Sequence, residues 1–268
     1  MSNSETYYKL PLEYDNTTPY TPHSPTNTVL VLGSSSEMSR TLAPALSQSR
    51  TLIGMDVDPV DVHGYSEIVS ANINDKEKLT EYMERADVVI NLTTGVKSGW
   101  KGLVNAEIEG TKTILEASIN SGVRRLIHMS SLHTQGLNER KWLKGQEHKQ
   151  LKLDMHPEVD GLYGAAKSFA EIIVTYASET TGLPVSILKV GTFRHATSLE
   201  ELIVSKTELW YLGDGDKRRS RLERTWLSKR DLVRAVVAEI ERKERYYLNY
   251  LTSSPDQAEY VHEAIVRR

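Results

Sequence analysis

From Thr28 onward the chain alternates short β-branched, apolar runs with longer amphipathic segments. The runs TVLVLG (28–33), TLIGMD (51–56), EIVSAN (67–72), DVVINL (87–92), RRLIHMSS (124–131) and VSILKV (185–190) predict strands. Between them, EMSRTLAPALSQ, DKEKLTEYMERA, LVNAEIEGTKTILEASINSG and YGAAKSFAEIIVTYASETTG predict helices. The last two end in Gly122 and Gly182, where a left-handed residue commonly closes a helix. Strands apolar on both faces and separated by helices indicate a parallel sheet covered on both sides. The right-handed crossover rule then favours a doubly wound α/β sheet.

Two stretches break this rhythm. Residues 1–27, rich in Ser, Thr, Asn, Tyr and Pro, read as a flexible N-terminal tail, with partial attachment to the surface through its tyrosines as the alternative. Leu132 to Asp160 is a long polar connection carrying Trp142, His148 and His156, and connections of that length are usually functional or mobile. The expected organisation is one domain over 28–268, with a small C-terminal substrate-binding portion. Its substrate-binding segments are expected at about 132–160 and 191–268.

Composition narrows the class. A net charge of -3 gives no general attraction to nucleic acid or to an anionic membrane. With no cysteine there are no disulfides and no thiolate metal site, which is compatible with the cytoplasm, and no metal centre is expected. No apolar run approaches the roughly 18 residues of a membrane span. The run KRRSRLERTWLSKR (217–230) is basic, but nothing around it forms a nucleic-acid motif, and a phosphosugar would suit its charges better.

The segment GSSSEMS (33–39) lies where a dinucleotide loop would turn from the first strand into the first helix. Such a loop uses one glycine for the turn, a second for close approach to pyrophosphate and a third for helix packing. Only Gly33 is present; Ser36 and Ser39 stand at the other two positions. Serine is small, and the hydroxyls of Ser34, Ser35 or Ser36 can supplement backbone N–H groups at a helix N-terminus. Asp56 closes the second strand, where a carboxylate would accept the adenosine ribose hydroxyls and repel a 2′-phosphate. NAD is therefore expected over NADP. The alternative is that Asp56 only starts the turn DVDP.

In YGAAK, Tyr163 and Lys167 are four residues apart and share one helix face. An ammonium that close favours the phenolate, so Tyr163 is placed as a general base for a hydroxyl. Ser131, ending the fifth strand, can hydrogen-bond the reacting oxygen.

On the segments SSLHTQG, DGLYGAAKSFAE, VSILKVGTF and RTWLSKRDLVRAV, the sequence resembles the extended short-chain dehydrogenase/reductases, or NAD-dependent epimerase/dehydratases. The resemblance runs from about Thr28 to Tyr250 and is closest to the uronate dehydrogenase-like branch. It implies a Rossmann-type fold, with Ser131, Tyr163 and Lys167 as the catalytic set and a hydride passing from a sugar carbon to NAD. It also implies cofactor contacts from Gly33, Ser35, Ser36, Glu37, Met38, Asp56, Asn72, Ile73, Leu92, Thr93, Tyr163 and Lys167. His133, Thr192 and Arg221 would meet a sugar or sugar-acid substrate, with Arg221 on its carboxylate. His133 as a structural imidazole and Arg221 as one of several interchangeable arginines stay open beside that assignment. The resemblance further implies a homodimer formed through a four-helix bundle, for which Ile172, Ile173 and Tyr176 are available.

Several positions depart from the family's pattern. Glu107 stands where the family has a proton-relay asparagine, and Leu132 stands where the uronate branch has a substrate-contacting asparagine. Asn72 replaces an aspartate at the adenine side. A sugar or nucleotide-sugar epimerase or reductase, and a catalytically degenerate nucleotide-binding scaffold or sensor, are the alternatives to a dehydrogenase.

Overall fold

The computed structural model describes residues 12, 20–146, 151–204, 215–253 and 265–267. Eight strands form one sheet: β1 Thr28–Leu32, β2 Thr51–Asp56, β3 Glu67–Ser70, β4 Val88–Asn91, β5 Arg125–Ser131, β6 Val185–Val190, β7 Tyr246–Leu251 and β8 Ile265–Arg267. Their order is β3-β2-β1-β4-β5-β6-β7-β8. The first seven run parallel, and β8 pairs antiparallel with β7. The order reverses between β1 and β4, so the chain leaves these adjacent strands in opposite directions and opens a crevice at their carboxyl ends.

The helices are α1 Glu37–Leu46, α2 Lys76–Met83, α3 Gly99–Leu103, α4 Gly110–Asn120, α5 Gly136–Leu143, α6 Leu162–Thr181, α7 Leu199–Val204, α8 Gly215–Thr225 and α9 Lys229–Ile240. Because side chains alternate along a strand, the sheet feeds two cores. Leu30 and Leu32 pack with Leu79, Met83, Ile114, Leu115 and Val174 of α2, α4 and α6. Val29 and Val31 pack on the other side with Leu42 and Leu46 of α1 and Leu232 and Val236 of α9. Each such buried side chain contributes roughly 1.5–3 kcal/mol. This is the Rossmann-type sheet that the apolar runs predict.

Three features differ from the sequence expectation. Residues Tyr20 to Asn27 are fastened, not loose: the Tyr20 hydroxyl donates to the Val123 carbonyl, and His23 N–H donates to Gly122 O at 2.9 Å. Thr26 and Thr28 N–H both donate to the Asp87 carboxylate. Gly122 at φ +67° makes the room, since a Cβ there would lie 2.8 Å from Thr21 O. Leu12 is also buried in the first core, while residues 1–11 and 13–19 lie outside the described residues. Second, YYLNYL forms the seventh parallel strand, with alternate residues buried. Third, the long helix expected from Leu103 to Gly122 is broken by a π-helical turn, Val104–Glu109, between α3 and α4.

The polar connection folds into a 3-10 turn, Leu132–Gln135, followed by α5. His148 lies outside the described residues. Trp142 lies under the Arg224 guanidinium at 4.2 Å, and the His156 carbonyl accepts from Gln135 Nε2 at 3.1 Å. On α6, Ile172 and Tyr176 face outward together with Phe169, whereas Ile173 packs against the core. No described helix is long and apolar enough to cross a membrane.

Candidate active site

The cofactor-side residues of the sequence reading collect at the carboxyl ends of β1 to β4. Gly33 follows β1 at φ +82°, and a Cβ there would come within 3.1 Å of the Leu92 and Thr93 backbone. Only glycine fits both that angle and that approach. Ser36 is different: at φ -71° it caps α1, and its hydroxyl accepts from Ser39 N–H. No left-handed angle is required of it, so a side chain brings no backbone strain. Ser39 is buried, donating to Ser34 O at 2.6 Å and bonding the Tyr65 hydroxyl at 2.7 Å.

The three loop hydroxyls have separate fates. Ser34 is enclosed against Gly54, where a Cβ would lie 2.8 Å from the Ser34 Cβ. Ser35 Oγ is spent on Asp58 O and Val60 N–H. Among the described residues Ser36 Oγ only accepts, within the cap, and its proton has no acceptor there. The N–H groups of Glu37 and Met38 open the first turn of α1 with no backbone partner among the described residues. These features fit a pyrophosphate at a helix N-terminus.

Asp56 is a turn residue in the structure. Its carboxylate accepts from Ser35 N–H at 3.0 Å and Asp58 N–H at 3.3 Å, and it stands half-exposed at the end of β2. Asn72 turns back on Asn74 N–H, and Ile73 is buried where a Gly110 Cβ would otherwise sit. The Glu37 carboxyl lies 3.5 Å from His195; burial holds its pKa above the ordinary value, against the pull of His195, Arg194, Lys229 and Arg40.

Ser131, His133, Tyr163, Thr192 and Arg221 line one cavity of about 340 Å³ at the carboxyl ends of β5 and β6. The sequence separates these five by up to 90 positions; the sheet brings them together. Met38 reaches the same cavity from the cofactor side. Ser131 Oγ caps the 3-10 turn by accepting from His133 N–H. The His133 ring meets Tyr163 edge-on at 5.5 Å, and its Nδ1 pairs with Asp160 at 2.9 Å. Burial pulls the Asp160 carboxyl upward, but the His133 bond and the charges of His133 and Arg140 outweigh it and hold the pKa below its ordinary value.

Lys167 does not line the cavity. It is buried behind Tyr163, donating to Met129 O at 2.9 Å and Thr93 O at 3.4 Å. Its ammonium also lies 2.9 Å from the Glu107 carboxylate, itself buried on the π-helical turn. Burial would push this amine down. Glu107 overrides it, with smaller contributions from Tyr163 and Glu171, and raises the pKa above its ordinary value. His128 on β5, next to this lysine, is driven down to about 3 by burial and then by the lysine's charge, so it stays neutral.

Arg221 lies in the cavity wall but is already engaged. Its Nε lies 2.7 Å from Glu139 of α5, and its Nη1 donates to Thr192 Oγ1 at 3.0 Å. Sequence reading had no signal for Glu139, one acid in the solvent-like run NERKW. It missed Arg194 and Phe193 on the cavity wall for the same reason, because their placement depends on how the chain turns after β6. Asp160 carried a signal, three residues before Tyr163 in DGLYGAAK. Among the described residues no group of three or more His, Asp and Glu is arranged to hold a metal ion.

The doubly wound sheet is of Rossmann type, and it brings Ser131 and Tyr163 into one cavity with Met38 of α1. The chain belongs to the NAD dependent epimerase/dehydratase family, whose profile it matches over residues 29–248. It is 23% identical to an L-arabinose 1-dehydrogenase (NAD(P)(+)) of Haloferax volcanii over 204 residues, 70% of this chain and 78% of that protein. It is 23% identical to a uronate dehydrogenase of Pseudomonas syringae pv. tomato, over 80% of this chain and 70% of that protein. The crystal structure of uronate dehydrogenase from Agrobacterium tumefaciens superposes with a TM-score of 0.69 at 19% identity, covering 88% of this chain and 80% of that one.

Proposed function

We propose that the protein is an NAD-dependent dehydrogenase that oxidises a hydroxyl of a sugar or sugar acid. The observation that carries this reading is one cavity shared by Ser131 and Tyr163, with Lys167 one helical turn behind and electrostatically coupled to the tyrosine. Ser131 Oγ would hold the reacting oxygen, and Tyr163 would take its proton as the carbon is oxidised to a carbonyl. Lys167, held charged by Glu107, would stand one helical turn behind the tyrosine as it takes that proton. Bound NAD would supply the two-electron acceptor. Gly33, Ser36 and the Glu37 and Met38 N–H groups would hold its pyrophosphate, and the Asp56 carboxylate would take the ribose hydroxyls. That same carboxylate supports NAD over NADP, because a 2′-phosphate there would face a fixed negative charge.

The test is a panel of aldoses, uronic acids and sugar phosphates with NAD and with NADP, read by absorbance of the reduced cofactor. At least one sugar should be oxidised, faster with NAD. Tyr163→Phe should lower kcat by about 10²–10⁴-fold, the usual worth of a general base, with little change in cofactor affinity. Unchanged turnover in that variant would remove the tyrosine from the chemistry. The Glu107–Lys167 pair also supports a second reading, a nucleotide-binding scaffold whose lysine is neutralised. Cofactor binding by calorimetry with no turnover on any sugar would favour it.

A further inference from the structure

We infer that the Glu139–Arg221 ion pair is a specificity device that tunes the cavity to an uncharged sugar and against a sugar acid, a conclusion that rests on the dehydrogenase reading above. Arg221 is 5% exposed and sits in the wall of the cavity, where a free guanidinium would be a strong carboxylate receptor. Here its charge is met before any ligand arrives, with Glu139 Oε1 at 2.7 Å.

The pair is built into the fold. Glu139 lies on α5 and Arg221 on α8, and the two helices are also joined by Arg224 stacked on Trp142. Both contacts join α5 to α8 and hold the Glu139 backbone close to Arg221. A ligand carboxylate at Arg221 would have to displace Glu139 or share a largely buried guanidinium with a like charge. Like charges that close repel strongly when poorly screened.

Two other basic side chains near the cavity also have acidic partners. His133 is paired with Asp160, which Arg140 also approaches at 3.7 Å. Behind Ser130, Lys189 is paired with Glu171 at 2.7 Å, and the Ser130 hydroxyl donates to the same carboxylate. Arg194, exposed at the mouth, donates to the Phe193 carbonyl and lies near the Glu37 carboxyl. Between the basic side chains of His133, Arg194 and Arg221, the lining is hydroxyl and apolar: Thr94, Ser131, Tyr163 and Thr192 beside Leu132 and Phe193. Such a lining suits the hydroxyls and the apolar ring faces of a neutral monosaccharide.

The probes are two matched pairs, D-galactose with D-galacturonate and D-glucose with D-glucuronate, each differing only by a hydroxymethyl or a carboxylate at C6. With the full-length protein, the neutral member should show a kcat/KM at least tenfold above its acid. Glu139→Gln keeps the shape and removes the charge. It should raise kcat/KM for the acid tenfold or more, through KM, and leave the neutral sugar within about twofold. Glu139→Asp should behave as the wild type does. The double variant Glu139→Gln/Arg221→Gln should lose the gain, which would show that the effect passes through the guanidinium.

Calorimetric titration of both pairs into the wild type and Glu139→Gln reads the same ratios without turnover. A wild type that prefers the acids, or a ratio unmoved by Glu139→Gln, would overturn the inference. Absence of turnover with a clear shift in the binding ratio would overturn the dehydrogenase reading and leave this one standing. Binding of no member of either pair would overturn both.

Discussion

In the loop after β1, two of the three glycines that a dinucleotide site uses are serines, and the backbone accepts them. Ser36 caps α1 at φ -71°, and Ser39 turns its hydroxyl inward to Ser34 O and Tyr65. Around Tyr163 the opposite holds. A Cβ on Gly164 would overlap the His133 carbonyl, one on Gly136 would overlap the Asp160 carboxylate, and one on Gly191 would overlap the Thr225 carbonyl. A motif glycine is thus replaceable where it was needed only for proximity to a ligand or for packing that a serine can join. It is not replaceable where another backbone segment already fills the space. The cofactor side adapts through hydrogen bonds, and the substrate side is fixed by sterics and by buried ion pairs.

The largest expected effect tests the fixed side. Glu107→Gln leaves Lys167 buried without its counter-ion, and breaking such a pair costs about 3–5 kcal/mol. Denaturant unfolding should show that loss, and an unchanged midpoint would mean the pair adds nothing to stability. The sign of the pH effect follows from the raised amine. Its contribution to stability is complete below the unfolded lysine value near about 10.4 and is lost as pH rises through the folded value. Without Glu107, burial pushes the amine down, so the alkaline limb of activity should move to lower pH. A limb that stays in place would separate Glu107 from the chemistry.

Gly164→Ala comes next. The added methyl has to push α6 away from the 3-10 turn, at about 1–3 kcal/mol for an overpacked site. Because Tyr163 is the adjacent residue, turnover should fall by more than the stability loss explains. Equal activity of the variant at a temperature where it is folded would show that the corner is looser than its contacts imply.

Ser36→Gly is the smallest change and tests the adaptable side. An N-cap serine replaced by glycine costs only a few tenths of a kcal/mol. If the Ser36 proton meets a phosphate oxygen, NAD affinity should weaken by about 2- to 10-fold, the range of one net hydrogen bond. Tighter binding in the glycine variant would mean that the serine is a cost the loop carries, and the comparison would need to be redrawn.

Much of this molecule is legible in its sequence, because the relevant forces are local. Six of the parallel strands follow from apolar runs, Gly33 from the turn it must make, and the Tyr163–Lys167 spacing from helical geometry. The seventh strand escaped because YYLNYL, with three tyrosines and an asparagine, lacks the β-branched apolar run that marks the other six. The partners that fasten Tyr20 to Asn27, namely Val123, Gly122 and Asp87, were not readable because they lie some 60 to 100 residues away. Asp56 was readable as both a ribose partner and a turn residue, and the structure keeps it compatible with both.

The sequence by itself determined the layered sheet and the presence of a tyrosine and a lysine on one helix face, since periodicity and spacing are properties of neighbouring residues. Only the tertiary structure decided which carboxylate stands beside each buried cation. Glu107 reaches Lys167, and Glu139 reaches Arg221, across gaps of 60 and 82 positions that no local pattern encodes. The physical reason is that a charge taken out of water needs a partner wherever the fold supplies one.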